Sequence, residues 1–425
     1  MACMNQYHRK RSGRDVLRAV CLLGILFGSL QMAFCPFALA TSRFLFGSPT
    51  QFEANAVSRL NSAPLGTDKF VVCYADSGAA GQCRVGSVSG TTISFGTEAE
   101  FDADVIVNTG NSLIGVCQLD TDKFAVAYSD DTDDDGYVIA ATVSGDTITF
   151  GTPVEFSGNL DAESIGCAGI ATDKIIVGYN DEGTSDTGTG VVCTVSGTTV
   201  TCGTVNDYAA TDYFALYNNP AKLDTDKFVV PFRGDNAADG FVVAGTASGT
   251  TITWGTVATI TTNSISNSYA CSPQDADRFV VVYNNETNTV GEAIAGTTSG
   301  TTITLGSAVD FNPTSGDIGG PGCVFISATK FVVTFPDQAD SSFGKVSICE
   351  VDWTTRAITC ITETQYVAED TLDVINEDGQ VISILSGYGT NEVKIVLGYI
   401  ATSGTDDGQA VVAQVLRRRI NVEDK

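Results

Sequence analysis

The chain has 425 residues, of which 43% are hydrophobic and 9% aromatic, enough apolar material for a sizeable core and too much for a disordered chain. Its net charge of −27 repels nucleic acid and anionic membrane surfaces, and leaves cations, cationic partners or neutral ligands. With 44 Gly, abundant Thr and Ser and only 17% charged residues, the composition reads as many short strands joined by tight turns.

Residues 8–18 are basic, residues 19–37 are apolar, and Ala38-Leu39-Ala40 precedes Thr41. That is the pattern of a secretory signal over residues 1–40, and it predicts a secreted, periplasmic or cell-surface protein. The apolar run also approaches spanning length, so an uncleaved anchor fits the same residues. Cleavage removes five basic residues and one acid, which leaves the remainder more acidic still and off the membrane. It also removes His8, the only histidine. A mature chain without imidazole has no Ser-His-Asp or Cys-His nucleophile, no His base and no His metal ligand.

After the signal, "FLFGSPTQF" (44–52) reads as an isolated strand, and then a repeat begins. Its anchor phrase stands at Thr67–Phe70, Thr121–Phe124, Thr172–Ile175, Thr225–Phe228, Ala276–Phe279, Ala328–Phe331 and, more weakly, Glu392–Ile395. Spacings run from 51 to 54 residues, with a last interval of 64. Four residues past each anchor is an aromatic (Tyr74, Tyr128, Tyr179, Phe232, Tyr283, Phe335, Tyr399), and the residue before it is usually small. A large face and a small face predict a strand packed between two neighbours. Each of the first five units continues with a phrase such as "VSGTTISFG" (88–96) or "VSGDTITFG" (143–151), alternating strands about a two-residue turn with Gly in its first central position.

Four strands per unit of about 52 residues are the proportions of a propeller blade. The segment 44–52 resembles the fourth strands "ISFGTEAEF" (93–101) and "ITFGTPVEF" (148–156), while the C-terminal "QAVVAQVL" (409–416) resembles a third strand. The two ends therefore complete one blade together, which removes an exposed edge. Closing residues of the fourth strands are Phe52, Phe101, Phe156, Tyr208, Ile260, Phe311 and Tyr366. The expectation is an all-β, seven-bladed β-propeller over residues 41–420, with four antiparallel strands per blade and a short tail at 421–425.

With units of the form TDKFVVxY…VSGTTITFG, the chain resembles secreted or surface bacterial β-propeller repeat proteins. The resemblance implies a binding or scaffold role and carries no catalytic residue.

Ten of the 13 cysteines follow residue 40. Cys193 and Cys202 fall directly opposite each other about Gly197-Thr198, and Cys349 and Cys360 about Thr354-Thr355. Both pairs sit at disulfide range in an oxidising exterior, and Cys73 and Cys83 bracket another hairpin. Cys117, Cys167, Cys271 and Cys323 lie on predicted first strands, with the last three in one register, and read as small buried residues near the axis.

One predicted rim carries the regular Thr-Asp-Lys and Ser-Gly-Thr-Thr turns. The other carries variable acidic loops, the usual place for binding on a regular scaffold. Asp131-x-Asp133-x-Asp135-Gly136 aims alternate carboxylates as a hard cation such as Ca2+ requires, but Ile139 and Thr142 stand where further acidic ligands are expected. Asp76, Asp130, Asp181, Asn285 and Asp337, each two residues past the aromatic, read either as turn caps or as a ring of rim ligands. Asp235 closes an Arg233-Gly234-Asp235 tripeptide on the same rim. Two functions follow: a monomeric, non-catalytic binding or scaffold module for a protein, glycan or cation, or a carboxylate-dependent glycoside hydrolase or lectin. A hydrolase needs two carboxyls about 5–9 Å apart in an axial pocket.

Overall fold

The computed structural model describes residues 43–416 except 106–113, 159–160, 183–186, 210–214, 235–237, 274, 313–315, 317, 339–342, 366–380, 387–391 and 402–405. The described residues form strands and turns, with no α-helix among them and none long and apolar enough to cross a membrane.

The repeated phrases build the same sheet each time. In the second unit Gly115–Asp120, Lys123–Ser129 and Gly136–Ser144 pair antiparallel in that order, and Thr147–Phe150 adds to the outer side. The hairpin glycines Gly90, Gly145, Gly197, Gly249 and Gly300 have φ between 61° and 64°, a left-handed conformation that glycine adopts more readily than any other residue.

The fourth strand is broken. Thr147–Phe150 and Val154–Glu155 both pair with Gly136–Ser144, and Gly151 lies between them. A Cβ at Gly151 would lie 2.2 Å from the carbonyl oxygen of Thr198, in the hairpin of the next unit. Gly47, Gly96, Gly203, Gly255 and Gly306 likewise close on Thr91, Asp146, Thr250, Thr301 and Arg356. The glycine ending each hairpin phrase is thus the seat for its neighbour's turn.

Hydrogen bonding yields six sheets where the repeat predicts seven: four of five strands, one of four and one of nine. The fifth strand in each five-stranded sheet is the second half of the broken fourth strand. The nine-stranded sheet arises because Thr50–Leu65 belongs to two units. Its first residues pair with Asp407–Leu416, as do Arg43–Phe46 (Phe44 opposite Val415), and its later residues pair with Lys69–Asp76. The segments 44–52 and 409–416 therefore lie side by side, as their sequences predict.

Apolar residues gather into seven clusters, each between one unit and the next. Where both are described, the aromatic after the anchor packs on the closing residue of the preceding unit; Tyr366, the closing residue before Tyr399, lies outside the described residues. Ring centroids are 5.2 Å apart for Phe52–Tyr74, 5.0 Å for Phe101–Tyr128, 5.1 Å for Phe156–Tyr179 and 5.3 Å for Tyr208–Phe232. Full burial of such rings is worth roughly 2–3 kcal/mol each, which accounts for an aromatic in every unit. Antiparallel four-stranded sheets packed face to face through such clusters are the arrangement of a β-propeller.

The first strands touch in chain order. Thr50–Leu65 contacts Gly115–Asp120, and the series continues through Ala162–Ala171, Ala221–Asp224, Ile265–Cys271, Gly322–Phe325 and Val381–Ser386. Val381–Ser386 in turn contacts Thr50–Leu65.

Cys73–Cys83, Cys193–Cys202 and Cys349–Cys360 are bonded within their hairpins, with Cα atoms 3.9–4.1 Å apart. The expectation for the first-strand cysteines needs correction. Cys117 is bonded to Cys167 and Cys271 to Cys323, with Cα separations of 5.7 and 5.8 Å. Their registers also differ from the expected one: Cys117 and Cys271 pair one residue past their anchors, Cys167 and Cys323 two residues past. That one-residue stagger between neighbouring first strands brings the sulfurs together.

Candidate functional site

The regular rim is occupied by bonds between units. The Asp68 carbonyl accepts the amide of Val88, and Asp122, Asp173, Asp226 and Asp277 do the same for the hairpin of their own unit. Lysines of the anchor reach the following unit: Lys69 to Asp146 at 3.0 Å, Lys174 to Asp226 at 2.5 Å and Lys227 to Asp277 at 2.8 Å, while Lys394 meets Asp68 at 3.8 Å. Ser87 and Lys69 hold the Asp146 carboxyl below its usual range. The tryptophans are also engaged. Trp254 Nε1 donates to Asn206 O and its ring packs on Tyr208 and Phe228. Trp353 Nε1 donates to Ala328 O, and Arg278 lies over the ring at 5.4 Å.

On the opposite rim most of the predicted ligand residues serve their own turns. Asp76 Oδ1 accepts the amides of Gly78 and Ala80, and Asp130 Oδ1 that of Thr132. Asn285 Oδ1 accepts the Asn288 amide and its Nδ2 donates to Glu292. Asp337 is buried against Lys345 Nζ, and Asp181 is buried as well. Asp235 lies outside the described residues.

In the aspartate loop, Asp131 and Asp133 are exposed and Asp135 is buried. Asp133 accepts the Tyr137 hydroxyl at 2.9 Å and the Asp135 amide at 3.2 Å. The bond to Asp133, with burial and nearby acids, pushes the Tyr137 phenol up to about 12. Burial, followed by Asp161, Asp131, Asp133 and Glu163, pushes the Asp134 carboxyl up, and burial with Asp133 and Glu155 does so for Asp135. Among the described residues no group of three or more His, Cys, Asp or Glu is arranged to hold a metal ion.

The formed concavity lies on the axis. A cavity of about 480 Å³ is lined by all the first strands, through residues including Ser62, Gln118, Cys167, Lys222, Tyr269 and Ser383. Its shape follows from the strands. Toward their beginnings they are drawn tight: Asn61 Nδ2 donates to Ile114 O, Asn218 Nδ2 to Ser164 O and Asn219 Nδ2 to Ser268 O. A Cβ at Gly166 would overlap the Asn218 carbonyl. Nearer the anchors the cavity is walled by the Cys117–Cys167 and Cys271–Cys323 bridges and by the Ser62 and Ser383 hydroxyls, 2.9 Å apart.

Among the described residues that line it there is no Asp, Glu or His, and Lys222 is the one charged residue. The loop-based reading of the sequence passed over this cavity. One signal was present: at the position before the apolar residue that leads into the anchor turn, Pro64, Gln118 and Gly169 are uncharged and Lys222 is not.

No family model and no curated protein sequence matches this chain. Solved structures do. It is similar to the BP39L lectin of Burkholderia pseudomallei, at 11% identity and a TM-score of 0.55 over 82% of this chain and 97% of that one. It is also similar to a protein of unknown function from Dyadobacter fermentans, at 9% identity and a TM-score of 0.51 over 88% and 99% of the two chains. The six-bladed β-propeller lectin of Aleuria aurantia aligns at 9% identity and a TM-score of 0.41 over 75% of this chain and 99% of that one. At these identities the likeness concerns the fold.

Proposed function

We propose that residues 41–420 form one closed propeller of seven units, exported from the cell, that binds a glycan in its axial cavity without catalysing a reaction. The seven first strands, each touching the next in order and the last touching the first, support the count and the closure. The nine-stranded sheet is then two units sharing Thr50–Leu65. Five disulfides fit an oxidising exterior.

The observation that carries the binding reading is the lining of the cavity. Hydrolysis of a glycoside by two carboxylates needs both within about 5–9 Å across the sugar, and no carboxylate is among the described residues of this wall. A volume of about 480 Å³ with mixed apolar and neutral polar walls suits a ring-sized ligand. Likeness to the BP39L lectin supports a glycan as that ligand.

The test exposes residues 41–425 to an immobilised glycan panel and to chromogenic glycosides. Retention of glycans with no release of chromophore is expected. Turnover that is lost on replacing a single acid would replace this reading with the hydrolase.

A further inference from the structure

We infer that the axial cavity selects a small organic anion, with Lys222 holding a carboxylate and the Tyr269 hydroxyl a second polar group; the inference rests on the axial binding site proposed above. Lys222 and Tyr269 stand on the neighbouring first strands Ala221–Asp224 and Ile265–Cys271, and both line the cavity. Both are half-buried.

On the regular rim Lys69, Lys174, Lys227, Lys330 and Lys394 each meet a carboxylate; among the described residues no ion pair involves Lys123 or Lys222, and of these two Lys222 lines the cavity. Among the described residues no hydrogen bond engages the Tyr269 hydroxyl; the same holds for Tyr179, but Tyr179 does not line the cavity and Tyr269 does. Burial of the ring pushes its phenol up, so the group stays a neutral donor.

A cation partly removed from water costs free energy unless an anion answers it. The walls supply none, so the answering charge comes from a ligand. The chain as a whole repels anions at −27, and the cavity is a place on it where a cation faces open space with no carboxylate beside it. Val324 and Ile384, which line the cavity and are only partly buried, offer apolar contact to the body of a ring, which argues for an organic acid over an inorganic ion.

The test is calorimetric titration of residues 41–425 with glucuronate, glucose and benzoate, at up to about 10 mM ligand. Glucuronate and benzoate are expected to bind. K222Q is expected to weaken both by about tenfold or more, with an unchanged melting curve, whereas K123Q, at a lysine that does not line the cavity, leaves binding intact. Y269F is expected to weaken glucuronate severalfold. Glucose binding as tightly as glucuronate, with K222Q without effect, overturns the anion assignment and leaves the glycan reading standing. Benzoate binding that depends on Lys222, with no sugar bound in solution or on the panel, does the reverse. Failure of both carboxylates to bind overturns this inference.

Discussion

Cys117 and Cys167 are 50 residues apart, one repeat of the chain, and are bonded across two neighbouring first strands. Cys271 and Cys323 repeat the relationship at 52 residues. The hairpin bridges staple strands that their own hydrogen bonds already hold. The axial bridges join sheets that otherwise meet through side chains and a few backbone bonds, such as that from the Ala162 amide to the Asp134 carbonyl.

Loop size sets their different weights. In the chain-entropy description a closed loop of about 50 residues stabilises by about 4 kcal/mol and one of about 10 residues by about 2.5 kcal/mol. Replacing Cys117 and Cys167 together by serine is therefore expected to destabilise more than replacing Cys193 and Cys202. Urea unfolding of the two double variants checks this, and equal midpoints would count against the axial bridge.

Gly151 makes a second prediction. Its missing Cβ is the space taken by the Thr198 carbonyl, so G151A must push two units apart. Overpacking of this kind costs about 1–3 kcal/mol. A fall of that size in unfolding free energy is expected. A change below about 0.5 kcal/mol would mean that the units slide freely past one another.

These two cases mark what the sequence discloses. Residues related within one sheet were legible, because ladder register follows from counting outward from a turn. That is how Cys193 and Cys202 could be read, while the pairing of Phe44–Phe52 with Gln409–Leu416 was legible from their likeness to fourth and third strands of the repeat. Relations between sheets were not. The stagger that joins Cys117 to Cys167 depends on how two faces pack, and no count along the chain supplies it. The cavity has the same origin, since first strands of different sheets wall it together. The rim acids carry two meanings at once: Asp76 and Asp130 are of the residue type that binds ligands and also of the type that caps its own turn, and both caps form.

The joint between the chain ends gives a pH prediction. Arg84 bridges Glu53 at 3.3 Å and Glu98 at 2.7 Å. Burial raises the Glu53 carboxyl, but the amides of Asn55 and Ala54, the Asn55 side chain and Arg84 outweigh it, and the net direction is down. A carboxyl lowered in the folded state stabilises fully above its ordinary value of 4.5 and loses that contribution as pH falls through the folded value. E53Q is therefore expected to melt below the wild type at pH 7, with the gap closing as pH drops below about 4.5. A gap that does not depend on pH would show that packing, and not charge, sets the effect.

The aspartate loop predicts the opposite sign. Burial and neighbouring acids hold the Asp134 carboxyl above its ordinary value, so its ionised form is the strained one. Its φ of 61° is also one that asparagine tolerates well. D134N is expected to raise the melting temperature slightly at pH 7, and less at pH 4. A lower melting temperature at pH 7, restored in the wild type alone by millimolar calcium, would instead reveal a cation site in this loop.

The closure itself is open to direct test. Arg43–Phe46 and the beginning of Thr50–Leu65 cover the edge of Asp407–Leu416. Phe52 packs at 5.2 Å on Tyr74 and fills the space that a Cβ at Gly408 would take. Removing residues 41–52 uncovers the hydrogen-bonding groups along that strand, and unpaired edges recruit other chains. A chain beginning at residue 53 is expected to aggregate, while F52A is expected to stay folded at a cost of about 3–5 kcal/mol. Adding a peptide of residues 41–52 should restore a single species in sedimentation. A truncated chain that sediments as the full one does, with an unchanged melting temperature, would show that the ends do not hold the units together.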